Sequence, residues 1–464
     1  VPESGGGLVV SWHPNALVDP GLILSYFPKQ IVFGARHGLF RVPLLGTLMR
    51  AIGTVPIYRR ADVGTSDENV RRKRNQESLD ALAEAVSQGS FAALFPEGVS
   101  HDEPHPVELK TGAARLYYRA CELTPDGEPT PVILPVGLHY DKKRVFDSNV
   151  LIVFHPPLPL PDELLSRTTA MSEDELRERN RALTSTIEDA LHHVVHATEN
   201  WEIHNAMQRA RKLVRAERAQ RAGRNPGRPS MKERVLGFSR LWAGYRSRVE
   251  SHPDEVEELT RRVQGYDAEL LALGLEDHEL DAAPAIVNAR LAVLVFLQAF
   301  VVYLLLPPIV LIGLVANLPA AGFVWLVTKR AASAKKDEAS LKVLIATLAL
   351  PMNWVLLSLL AVWGGTSLGE LFPRFSGAPL LTGLLAFLLS AIGAYIALHY
   401  QRLAQQTARA FRVRITRMRR SSSVARLLEE RSELHDRITE LAEGLELPNE
   451  LSLDANMGTP SKSP

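Results

Sequence analysis

Apolar and polar positions alternate in three different ways along the chain. Through about residue 160, short apolar runs are separated by amphipathic stretches. Leu8-Val9-Val10-Ser11-Trp12, Ile31-Val32-Phe33-Gly34, Val55-Pro56-Ile57-Tyr58, Phe91-Ala92-Ala93-Leu94-Phe95 and Val132-Ile133-Leu134-Pro135-Val136 read as buried strands, each bounded by glycine, proline or charge. Residues 68–88 and 111–123 place apolar side chains three and four apart, which predicts helices. Strand–helix alternation of this kind predicts an α/β domain over residues 1–160, a mixed sheet flanked by helices. Loops at the strand ends are then the expected place for a site.

Residues 161–285 form a charged helical region. Ser172-Glu173-Asp174-Glu175 has the spacing of a capping box. A basic linker, Gly223-Arg224-Asn225-Pro226-Gly227-Arg228-Pro229, precedes a helical pair expected over residues 231–273. The pattern then changes again. Residues 286–400 hold three apolar blocks, 291–327, 342–363 and 380–398, of about the length that crosses a bilayer core. Pro307-Pro308 interrupts the first, so a hairpin turning there is expected. Residues 401–447 read as a basic, charged helix and 448–464 as a disordered tail.

Charge adds a topology. The formal net charge of 464 residues is only +1, which gives no general reason to expect nucleic acid as a partner. Lys329, Arg330, Lys335, Lys336 and Lys342 lie between the first and second blocks, and Arg402, Arg409, Arg412, Arg414, Arg417, Arg419 and Arg420 follow the third. The positive-inside rule predicts both groups on the cytoplasmic face, with the short link at 364–378 outside and the N-terminal domain cytoplasmic. The opening residues show no basic segment leading into a long apolar one, so no secretory leader is expected. Cys121 is the single cysteine, so a disulfide within the chain and a cysteine-rich metal site are excluded.

Chemistry enters with His13, in Trp12-His13-Pro14-Asn15-Ala16-Leu17-Val18-Asp19-Pro20. A carboxylate close to a histidine holds the imidazole in one tautomer and stabilises the imidazolium, as in hydrolytic triads, here without a serine elbow. The nucleophile is then expected to be the acceptor's own hydroxyl. A thioester donor needs neither metal nor cofactor for direct transfer. Taken alone, Asp19-Pro20 also reads as the start of a helix, and His13 as a structural histidine.

Further motifs change the weighting. Ala35-Arg36, Pro43-Leu44-Leu45-Gly46, Ile52-Gly53-Thr54-Val55-Pro56-Ile57-Tyr58-Arg59-Arg60, Phe95-Pro96-Glu97-Gly98-Val99-Ser100, Leu109-Lys110-Thr111-Gly112-Ala113-Ala114 and Leu134-Pro135-Val136-Gly137 follow in order. With the His13 segment, this series resembles the phospholipid/glycerol acyltransferase family over residues 8–160, in particular its larger forms with C-terminal membrane segments. The resemblance implies that His13 is the catalytic histidine and Asp19 its supporting aspartate. It further implies that Asn15, Arg59, Pro96, Glu97, Gly98 and Lys110 serve the acceptor, and that Pro135 shapes the acyl-donor side. A guanidinium at 59 suits a phosphate through its fork of donors. The family's usual block has four residues between His and Asp; here there are five, residues 14–18. His101, Asp102, Glu103 and His105 are read as a polar loop beside the substrate, and no metal is expected.

The implied activity is O-acylation of glycerol-3-phosphate at a membrane, from acyl-CoA or acyl carrier protein, within phospholipid synthesis. Lysophosphatidate and dihydroxyacetone phosphate are the rival acceptors. An inactive scaffold binding anionic lipid through its arginine-rich tail is the rival of another class.

Overall fold

The computed structural model describes residues 1–41, 45–58, 68–143, 148–165, 171–224, 227–281, 289–331, 335–371 and 378–451. These divide into two compact units. One comprises Val1–Val214, Gly227–Val263 and Arg437–Pro464, the other Arg215–Pro226 and Gln264–Asp436.

The first unit is built on six strands: β1 (Gly7–Ser11), β2 (Ile31–Arg36), β3 (Val55–Ile57), β4 (Phe91–Leu94), β5 (Val132–Tyr140) and β6 (Val150–Phe154). Their order is β3-β2-β4-β1-β5-β6. The first five are mutually parallel and β6 runs antiparallel to β5, which makes the sheet mixed as expected. Around it lie α1 (Val18–Tyr26), α2 (Leu45–Ala51), α3 (Glu68–Ser87), α4 (Gly112–Leu123), α5 (Asp162–Leu165) and α6 (Glu173–Val194).

Central strands covered on both faces need apolar side chains on both, so they read as unbroken apolar runs. β1 shows this directly. Leu8 and Val10 pack with Leu82, Ala114, Tyr117 and Leu183 from α3, α4 and α6. Val9 faces the other way, onto Ile23 and Phe27. The register Val10↔Leu94 and Ser11↔Val136 then brings the C-terminal ends of β1 and β4 together beside the middle of β5, which runs on to Tyr140. Ser172 caps α6 through the reciprocal Ser172–Glu175 bonds expected. The expected helical pair is α8 (Met231–Val249) and α9 (Pro253–Leu273), after α7 (Trp201–Arg221).

Behind β5 lies a histidine cluster. His139, His155, His193 and His196 line one small cavity, and His204 packs on Phe238 at 4.9 Å between ring centroids. Burial pushes His139 down to about 3, and His155 and His204 down to about 4. The folded chain therefore keeps these rings neutral where the unfolded chain protonates them. That stabilisation is complete above about pH 6.5 and is lost as pH falls from there toward 4. The melting temperature of the full chain in detergent is expected to fall between pH 7 and 5, and His155→Gln to flatten that slope. A pH-independent melting temperature contradicts this.

In the second unit, α10 (Asp277–Leu280) leads to α11 (Ala289–Phe300), a π-helical turn (Val301–Leu305) and α12 (Leu306–Ala331), followed by α13 (Lys335–Leu371), α14 (Pro379–Arg419) and α15 (Ser421–Leu441). Among the described residues, three helical stretches are long and apolar enough to cross a membrane: Phe296–Arg330, Lys342–Gly364 and Pro379–Arg417. The hairpin expected at Pro307-Pro308 does not form. Both prolines fall in the first turn of α12, directly after the π turn, where the wider ring leaves room and few backbone bonds are forfeited.

α12 and α14 pair antiparallel. Gln298 bonds Thr407 at 3.0 Å, Tyr303 bonds the Ala404 carbonyl at 2.9 Å, and Asn317 bonds the Ser390 carbonyl at 3.1 Å. Lys329 and Arg330 therefore lie at the opposite end of this pair from Arg409–Arg420. The two basic groups, expected on one cytoplasmic face, thus stand at opposite ends of the α12–α14 pair. The helix expected at 401–447 is likewise two elements, the end of α14 and α15.

Asn317 also accepts from Trp354 at 2.8 Å, and Asn353 donates to the Ala316 carbonyl at 3.0 Å. Such polar contacts hold apolar helices together where hydrophobicity alone offers no preference. Gly313 and Gly393 meet backbone to backbone; a Cβ on Gly313 would lie 2.6 Å from Gly393. Gly313→Val is expected to cost about 1–3 kcal/mol by forcing the helices apart. Gly322→Val, at a position with nothing within 4 Å, is the control in the same melting experiment.

Candidate active site

His13 follows β1 by two residues and Asp19 lies in the first turn of α1. The longer spacing does not separate them: Nδ1 of His13 is 2.9 Å from Oδ2 of Asp19. Ala16 absorbs the extra residue at φ 38°, a conformation that costs an L-residue free energy, and the Ser100 hydroxyl accepts its amide at 3.1 Å. Asp19 does not cap α1. Leu17 holds the N-cap position, and the fully buried carboxylate is spent on the site instead.

That carboxylate has three donors. Besides His13, the Asn15 amide donates to Oδ2 at 2.7 Å and the Tyr140 hydroxyl donates to Oδ1. A buried charge held by this many donors is compensated, where an unpaired one would be costly. Occupying Nδ1 of His13 leaves Nε2 to act as base. The ring stacks on Phe95 at 4.1 Å between centroids, and the side chain remains 14% exposed, so the imidazole is reachable.

Glu97 forms a second buried centre. One oxygen accepts the His13 amide at 2.9 Å; the other accepts the Val107 amide at 3.2 Å and pairs with Nε2 of His101 at 2.8 Å. The carboxylate expected to hold an acceptor is thus engaged in fixing the His13 loop against residues 101–107. The turn carrying it closes through Gly98 N to Phe95 O at 2.9 Å. Gly98 has φ +69°, and a Cβ there would lie 3.0 Å from the Lys110 ammonium. Lys110 donates its amide to the Pro96 carbonyl at 2.9 Å, which places a cation beside the turn. Lys143 pairs with Asp102 and lies 3.4 Å from the Pro14 carbonyl.

The expected site residues divide accordingly. His13, Asn15, Asp19, Pro96, Glu97, Gly98 and Lys110 come together at the ends of β1 and β4. Pro135 is buried within β5 opposite Val10, its carbonyl accepting the His155 amide at 3.0 Å. Arg59 falls outside the described residues. Neighbouring Tyr58 is fixed by two 2.8 Å bonds with Asn75 and stacks on His37. Sequence reasoning missed Tyr140, Phe95 as a ring partner, and Ser100.

Known proteins now add their share. Residues 1–139 match the family described as Acyltransferase, and residues 229–448 match the glycerol-3-phosphate acyltransferase 2 C-terminal domain. Residues 1–139 are an acyltransferase-family domain. The uncharacterized acyltransferase C1718.04 of Schizosaccharomyces pombe is 29% identical over 42% of this chain and 27% of its own length. Glycerol-3-phosphate O-acyltransferases 2 and 1 of Saccharomyces cerevisiae are each 24% identical, over 47% and 43% of this chain. The chain spans about a quarter of the length of these relatives, 25–27%. The crystal structure of the 1-acyl-sn-glycerophosphate acyltransferase PlsC from Thermotoga maritima aligns over 41% of this chain and 68% of its own, with 20% identity and a TM-score of 0.26. A score that low carries no argument. The acyltransferase-family domain contains every residue of the His13 site except Tyr140 and Lys143, which directly follow it.

Proposed function

We propose that this chain transfers a fatty acyl group from an acyl thioester, acyl-CoA or acyl carrier protein, to a hydroxyl of glycerol-3-phosphate at a membrane surface. The observation carrying this reading is the His13–Asp19 pair, aligned at 2.9 Å in an acyltransferase-family domain, with no partner for the other imidazole nitrogen among the described residues. Nε2 removes the proton from the acceptor hydroxyl as its oxygen attacks the thioester carbonyl. The tetrahedral intermediate then collapses, the thiolate leaves, and the imidazolium returns the proton to it. Asp19 stabilises the imidazolium throughout. Lys110 supplies positive charge for the acceptor phosphate, and Arg59 a guanidinium suited to the same group. The step needs no metal or cofactor.

The names of the two Saccharomyces relatives favour glycerol-3-phosphate over lysophosphatidate or dihydroxyacetone phosphate as acceptor. The antiparallel α12–α14 pair supports a cytoplasmic assignment for the end where α11 begins and α14 leaves, since the denser arginine group marks it.

The test is thioester-dependent acylation by the purified full chain with each of the three acceptors. The proposal expects monoacylated glycerol phosphate as the main product. Preferential acylation of lysophosphatidate would overturn the acceptor, and no acylation of any acceptor would favour a scaffold.

A further inference from the structure

We propose that Tyr140 is a positioning residue for this transfer: its hydroxyl anchors the Asp19 carboxylate, which in turn orients His13. The inference rests on the function proposed above and extends it to a residue beyond the acyltransferase-family match, which ends at residue 139.

The geometry assigns each oxygen of Asp19 a task. Oδ2 serves the imidazole and the Asn15 amide, while Oδ1 takes the Tyr140 hydroxyl. A carboxylate gripped on one oxygen can still rotate about its last bond; gripped on both, it cannot. The second grip matters more here because the loop from His13 to Asp19 is one residue longer than usual and passes through Ala16 at positive φ. The loop alone therefore fixes Asp19 less tightly, and Tyr140 reaches it from 121 positions away, at the end of β5. The phenol is a dependable donor. Burial and then the adjacent Asp19 charge push its ionisation above the ordinary range, with the Asn15 side chain working the other way, so it stays neutral.

The groups that face His13 come from four directions. The loop after β1 brings Asn15 and α1 brings Asp19. The turn after β4 brings Phe95, Glu97 and His101, with Lys110 beyond Gly98. The end of β5 brings Tyr140 and the segment after it Lys143, tied to Asp102. Removing the Tyr140 hydroxyl changes one contact among these. The Asp19 charge, no longer shared with a phenol, then pulls harder on the Nδ1 proton.

Tyr140→Phe in the full chain, in detergent, is expected to lower kcat about tenfold with KM for both substrates little changed. In an Asp19→Ala background the same substitution should add almost nothing, because its route to the imidazole is already cut. A readout independent of turnover is the Nδ1 proton resonance of His13 in 15N-histidine-labelled protein, assigned by its loss in His13→Gln. It should shift downfield in Tyr140→Phe.

Wild-type kcat with an unmoved resonance overturns the proposal. An equal loss in the Asp19→Ala background overturns it too, since that marks a general effect on folding. If the wild-type chain acylates nothing, the function reading fails while the resonance still decides whether Tyr140 acts on His13 through Asp19.

Discussion

Replacing His13 by alanine is expected to lower kcat for acyl transfer about a thousandfold, with KM for the acceptor nearly unchanged. The imidazole is the group the geometry leaves free to take the hydroxyl proton, while the acceptor phosphate is held by other side chains. Loss of the base therefore falls on the transition state and spares binding. The side chain is only 14% exposed, stacked on Phe95 and paired with buried Asp19, so truncation also costs some stability. A cooperative melting transition at a modestly lowered temperature, together with a collapsed kcat, is the expected pair of results. A His13→Ala protein within about tenfold of wild type would reassign the base, and His101 would be the next histidine to examine.

The second large effect is expected at Asp19. Because Oδ2 accepts from both the His13 ring and the Asn15 amide, an asparagine would place its amide oxygen there and turn its NH2 toward Tyr140, which can accept. The imidazole tautomer then survives and only the negative charge is lost. Asp19→Asn is accordingly expected to lower kcat about a hundredfold, since the imidazolium loses its counter-charge. Asp19→Ala removes orientation as well and should cost more. Steady-state kinetics of the two variants separates charge from orientation. Equal effects would show that the carboxylate serves only to shape the loop.

The sheet was legible because its central strands are apolar on both faces. Leu8-Val9-Val10, Phe91-Ala92-Ala93-Leu94 and Val132-Ile133-Leu134 announced themselves in that way. Val150-Leu151-Ile152-Val153-Phe154 carries the same signature and forms β6, which the strand reading passed over. His13, Asp19 and the turn at Glu97 were legible from spacing and motif order. Two roles were not. Tyr140 meets Asp19 only through the alignment of β5 beside β1, which no local pattern encodes. Glu97 looked like a substrate ligand because its burial depends on residues 101–107 folding back over it. The prolines at 307 and 308 misled in the opposite direction. Their ring chemistry breaks a helix interior, but a π turn placed just before them lets the helix continue.

The claim beneath all of this is that an alcohol is made nucleophilic and attacks a free thioester with no acylated protein in between. Incubating the full chain with acyl-CoA, with and without glycerol-3-phosphate, and following thiol release alongside intact protein mass tests it most directly. The account predicts thiol release only with acceptor present, one ester formed for each thiol, and no mass added to the protein. An acyl adduct on the chain before acceptor is supplied, or thiol release indifferent to it, would contradict the account.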